Sequence, residues 1–152
     1  MQEPLVSRIL RTTLYIGFIV GVLLTVTLPF MIDYYFALLY DVYSVQVLYR
    51  QFITAFLMIT GVAGCWVIFE LIIMMRSVPD NPFIRRNGKA LNRIGIIFSI
   101  LAVMFFGKCL IYVTFLTLLG GIIFVIGGLF TFTLASLFFQ AVEYREENEL
   151  TI

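Results

Sequence analysis

Four long apolar runs, separated by short polar stretches, organise this chain. The runs are continuous. Each is close to the roughly 20 residues that a helix needs to cross a bilayer core about 30 Å thick. The first covers 12–31, between Arg8 and Arg11 on one side and Asp33 on the other, with Pro29 near its end. The second, 52–75, lies between Arg50 and Arg76 and holds one charge, Glu70. The third, 94–118, starts after Arg93 and contains Lys108; the fourth, 122–140, leads into a charged tail, 141–152. Only Leu119, Gly120 and Gly121 separate the last two runs. A single helix from Ile94 to Gln140 would be about 70 Å long, so the chain has to reverse, and the glycine pair is where the turn is expected.

The pattern predicts an all-α membrane protein: one domain over 1–152 with four transmembrane helices. Composition agrees. Hydrophobic residues make up 62% of the chain and charged ones 12%, against roughly 45–50% and 25% in soluble domains. Lipid is therefore the expected solvent. The first run, preceded by arginines, imitates a signal peptide, but it is longer than the usual apolar segment of one and lacks an A-x-A-like site, so a retained helix is expected.

Lysine and arginine counts set the orientation. With the N-terminus inside, Arg8, Arg11, Arg76, Arg85, Arg86, Lys89, Arg93 and Arg145 face the cytoplasm, and only Arg50 and Lys108 lie toward the outside. Cytoplasmic loops carry such an excess, so both termini are expected inside. The outer stretch 33–51 contains Tyr34, Tyr35, Tyr40, Tyr43 and Tyr49. Tyrosines suit the interface as anchors, and an aromatic ligand surface is the alternative.

Candidate chemistry is sparse. The absence of histidine removes the commonest metal ligand and general base. Cys65 and Cys109 sit in apolar runs with no metal or redox spacing and read as packing residues. No hydrolase, phosphate-loop or haem motif occurs, so no enzyme, no cofactor, no metal and no direct nucleic-acid binding are expected. Glu70 and Lys108 are the ionisable residues inside apolar runs, a placement costly enough to demand partners or a function. Glu70 has Arg76, Arg93 and the N-terminal arginines within reach. Lys108 is expected to snorkel outward or to meet Asp33 or Asp41. Gly17-x-x-x-Gly21 with Thr25, and Gly127, Thr131 and Ala135, are small residues at four-residue spacing that permit close helix contact, inside the bundle or in a homo-oligomer.

The stretch 76–93 is the most patterned segment outside the runs. Asn81 followed by Pro82 reads as a helix start. Phe83, Asn87, Ala90, Leu91 and Ile94 then share one face, while Arg85, Lys89 and Arg93, with Arg86 beside them, line another. A short basic amphipathic helix is expected along the inner surface, bending into the third transmembrane helix. The tail places Arg145, Glu146, Glu147, Asn148 and Glu149 ahead of Leu150, Thr151 and Ile152. Basic helix and acidic tail share one side, where they can pair with each other or present a joint surface to a partner.

The segment Asn81-Pro82-Phe83 with Asn87, Leu91, Arg93, Ile94 and Gly95, and the ending from Arg145 to Ile152, resemble a bacterial family of four-helix membrane proteins catalogued as domain of unknown function 2975. The resemblance covers nearly the whole chain. It implies a regulatory protein of the bacterial cytoplasmic membrane, because members are often encoded beside a very small helix-turn-helix regulator, and it brings no catalytic residues. The residues themselves also leave open a small transporter or immunity protein built on Glu70 and Lys108, and an accessory subunit of a membrane complex.

Overall fold

A computed structural model describes residues 5–39, 44–77 and 84–150. All described secondary structure is helical: α1 (Leu5–Leu39), α2 (Ser44–Ser77), α3 (Arg85–Ile111) and α4 (Phe115–Leu150). All four are long and apolar enough to cross a membrane. At 1.5 Å per residue, the 35-residue α1 is about 52 Å long. It exceeds the apolar run expected for it because hydropathy marks the part that contacts lipid, whereas helical hydrogen bonding continues past the hydrocarbon edge. Thus α1 runs through Pro29 and on past Asp33, and Tyr34, Tyr35 and Tyr49 are helical rather than parts of a long loop. Tyr40, Tyr43 and Asp41 lie outside the described residues.

The chain divides into two compact units with a boundary between Phe69 and Glu70. In the first, α1 and α2 approach through small residues. A Cβ at Gly21 would lie 3.3 Å from Cys65 Sγ, and one at Gly61 would lie 2.6 Å from Thr25 Oγ1. Helices come this close in lipid because van der Waals packing, not water exclusion, holds them together. The Thr25 hydroxyl donates to its own helix at Gly21 O, 2.8 Å away, which satisfies a buried polar group without help from solvent. Rings close both ends of the seam, Phe18 with Phe69 at 6.3 Å and Phe36 with Tyr49 at 6.1 Å between centroids. Cys65 is a packing residue here, as its apolar setting predicts.

In the second unit α3 and α4 form an antiparallel hairpin. Gly88, Leu91, Gly95, Phe98, Ala102 and Phe105 follow alternating steps of three and four along α3. Gly121, Phe124, Gly128, Thr131, Ala135, Phe138 and Val142 do the same along α4. That 3.5-residue period keeps one seam facing the partner helix. Glycine on one helix receives phenylalanine from the other: Gly88 meets Phe139, Gly95 meets Phe132, Gly120 meets Phe105 and Gly127 meets Phe98. A Cβ at Gly95 would come within 2.8 Å of the Phe132 ring. Phe124 stacks edge-on against Phe105, centroids 5.0 Å apart.

The hairpin turn corrects the expectation from sequence. The non-helical residues are Tyr112, Val113 and Thr114, and Gly120 and Gly121 lie inside α4. The glycine pair serves close approach and not a break, since Cβ atoms there would strike Phe105 and Phe106. The third and fourth helices therefore do not follow the bounds 94–118 and 122–140.

Candidate functional site

Charged residues of the second unit gather where α3 begins and α4 ends. Ile84, in extended conformation, precedes α3, which then runs unbroken from Arg85 through Arg93 into its apolar part. The expected bend between a surface helix and the third transmembrane helix does not occur. Asn81, Pro82 and Phe83 lie outside the described residues. The face expected to be apolar is buried, with Asn87, Ala90, Leu91 and Ile94 each at most 6% exposed. Arg85, Arg86, Lys89 and Arg93 are exposed.

The acidic tail is not a separate segment but the end of α4. A helix of 36 residues is about 54 Å long, well beyond a hydrocarbon core of about 30 Å. Its charged last turns therefore stand outside the lipid. There Arg85 grips Glu146 through two bonds, Nη2 to Oε2 at 2.6 Å and Nε to Oε1 at 3.1 Å. That bidentate contact holds the Glu146 carboxyl below the usual carboxylate range. Glu143 adds to the field at Arg85. Gln140, Glu143, Tyr144 and Glu147 line a shallow concavity on α4. Arg145, Glu147 and Asn148 are exposed, while the side chains of Glu149 and Leu150 lie outside the described set.

Glu70, the last-but-one turn's charge in α2, is buried with a side chain 6% exposed. Its carboxylate accepts from Arg93 Nε at 2.6 Å and Nη2 at 2.7 Å, and Arg93 is among the partners the sequence places within reach. A fork of two parallel bonds compensates part of the cost of burying the charge. Nearby, Asn87 Nδ2 donates to Ser77 Oγ at 2.9 Å, and Ser77 Oγ donates to Met74 O at 2.7 Å. Sequence reasoning missed this second polar link between the end of α2 and the start of α3. Its signal was present: Asn87 is the one polar member of an otherwise apolar face.

Lys108 has one of its expected partners, Asp41, outside the described residues. Its ammonium donates to Thr117 Oγ1 at 2.8 Å, and Asp33 pairs with Arg50 at 3.3 Å. With the turn at 112–114, Lys108 lies in the last turn of α3, where positive charge complements the helix dipole. Lys108 and Arg93 are about 22 Å apart along α3. The structure does not bring Glu70 and Lys108 together. Among the described residues no cluster of His, Cys, Asp or Glu has the makings of a metal site.

Four membrane-crossing helices, with ion pairs concentrated at one end of the α3–α4 hairpin, define a multi-pass membrane protein. Residues 35–152 match the family described as "Protein of unknown function (DUF2975)", and the chain belongs to that family. No curated protein and no solved structure matches it.

Proposed function

We propose that this chain is a non-enzymatic regulatory protein of the bacterial cytoplasmic membrane, with both termini in the cytoplasm. It binds a small helix-turn-helix regulator at the inner face, through the basic first turns of α3 and the charged end of α4. The observation that carries the reading is the Arg85–Glu146 contact. It joins the two most highly charged segments into a single surface, with Arg86, Lys89, Glu143, Tyr144 and Glu147 exposed around it. The excess of Lys and Arg on that side supports a cytoplasmic location. The first turns of α3, with exposed basic residues on one side and buried residues on the other, support a docking role for this segment. DNA would be reached through the regulator and not by this chain.

The test is affinity purification of the N-terminally tagged protein from native membranes, compared with a variant lacking residues 143–152. Recovery of a small helix-turn-helix protein with the full chain, and its loss with the shortened one, is the expected result. Recovery of no such protein, or equal recovery by both chains, refutes the reading.

A further inference from the structure

The end of the hairpin opposite the ion pairs has an unusual surface for a loop between two membrane helices. Leu110 is 90% exposed, Val113 81%, Phe115 79% and Leu116 74%, and Ile111 and Tyr112 are exposed beside them. Between Lys108 and Glu143 the sequence holds no charged residue. A tip standing in water would present this contiguous apolar patch to solvent at a substantial free-energy cost.

Two physical limits fix where such a tip can sit. Nineteen residues separate Arg93 from Tyr112, about 28 Å along the helix, against a hydrocarbon core of about 30 Å. With Arg93 near one edge of the core, the tip just reaches the other edge and does not project far beyond it. The backbone sets the opposite limit. Tyr112 N–H is bonded to Lys108 O at 2.9 Å, and Thr114 O accepts from Thr117 N–H at 2.9 Å and from Leu118 N–H at 3.0 Å. The three residues 112–114 are nonetheless non-helical, and irregular backbone is not tolerated bare in hydrocarbon. Apolar side chains draw the tip into the membrane, and its backbone keeps it out of the acyl core. Tyr112 and Lys108, whose ammonium extends toward Thr117 in the first turn of α4, are the residue types that settle in the layer between.

We infer that residues 110–116 form an interfacial contact with phospholipid, seated in the boundary between head groups and acyl chains of the leaflet opposite the Arg85 end. The tip then holds the hairpin at a fixed depth and offers no aqueous loop on that side of the membrane. This inference does not rest on the proposed regulator.

The experiment uses the full chain in phosphatidylcholine vesicles, with reagents supplied on both sides. In a Cys65→Ala, Cys109→Ala background, Val113→Cys is expected to react with a charged maleimide at least about tenfold more slowly than Asn148→Cys at the wet end. In a Trp66→Phe background, the indole of Val113→Trp is expected to be quenched more by lipid brominated near the carbonyl than by lipid brominated near the chain end. Reaction at Val113→Cys as fast as at Asn148→Cys overturns the inference. So does the absence of quenching by either lipid, and so does stronger quenching from the chain end, which would place the tip in the acyl core.

Discussion

Replacing Arg93 by Met would take the guanidinium away from a carboxylate whose side chain is only 6% exposed. Breaking a fully buried ion pair from one side costs about 3–5 kcal/mol, whereas exposed pairs contribute about 0–1 kcal/mol. The two partners here differ: Glu70 is buried and the Arg93 side chain is 48% exposed. The half-exposed partner lowers the expected cost, and Arg93→Met should destabilise by about 2 kcal/mol. Glu70→Gln is the milder change. It leaves the cation on a long stem that can reach water or head groups, and it should cost about 1 kcal/mol. The double variant should cost less than the two singles together, with a coupling of about 1 kcal/mol. Pulse proteolysis in mixed micelles of rising dodecyl sulfate content reads all four stabilities. An Arg93→Met cost no larger than that of Glu70→Gln, or additivity within about 0.3 kcal/mol, would refute the argument that Glu70 depends on Arg93 for its buried charge.

Further outcomes follow from the packing and the charges. Gly61→Ala forces a Cβ onto Thr25, a β-branched side chain with little freedom to move, and should destabilise by about 1–3 kcal/mol. Gly17→Ala meets nothing within 4 Å and should be neutral or stabilising by up to about 1 kcal/mol in the same proteolysis assay. Gly95→Ala should loosen the hairpin, because Phe132 fills that space; faster hydrogen exchange in the first half of α3 is the readout. For the Arg85–Glu146 contact the folded Glu146 pKa is lowered, so its contribution is present above the ordinary carboxylate pKa and lost as pH falls through the lowered folded value. Protection of the amides at 141–148, taken relative to the intrinsic exchange rate at each pH, should stay flat from neutral pH down to the carboxylate range and fall below it, and Arg85→Ala should abolish that fall.

The four membrane crossings were legible because lipid imposes a composition that no soluble core requires. The helix ends were not, since hydropathy stops at the hydrocarbon edge and the backbone does not. Asp33 illustrates this: its charge looked like the end of the first helix, yet it lies within α1 and pairs with Arg50. The glycine pair at 120 and 121 misled for a different reason. Glycine both ends helices and lets them touch, and local sequence cannot separate the two uses. The alternation of threes and fours through Gly88, Gly95 and Ala102, set against Phe98 and Phe105, was the signal that these glycines belong to a seam. Misplacing the turn also made Lys108 look embedded, whereas it lies one turn from the end of α3. For Glu70 the sequence narrowed the choice to nearby arginines. Choosing Arg93 required knowing which faces of α2 and α3 meet, and that depends on tertiary packing.

The Arg85–Glu146 contact also bears on how a partner could be received. Each side chain is about half exposed or more, so a partner of either charge can compete for one of them at little cost. A partner that reads the carboxylates must displace Arg85, so Arg85→Ala should tighten its binding and Glu146→Ala should weaken it. A partner that reads the basic start of α3 reverses both signs. The changes should be no more than severalfold, because an exposed pair holds its members weakly, and they should shrink as salt is added. Binding measured by titrating the partner onto vesicles carrying each variant distinguishes the cases. Opposite shifts identify which charge is read; identical affinity for both variants and the natural chain would move the binding surface away from this end of the hairpin.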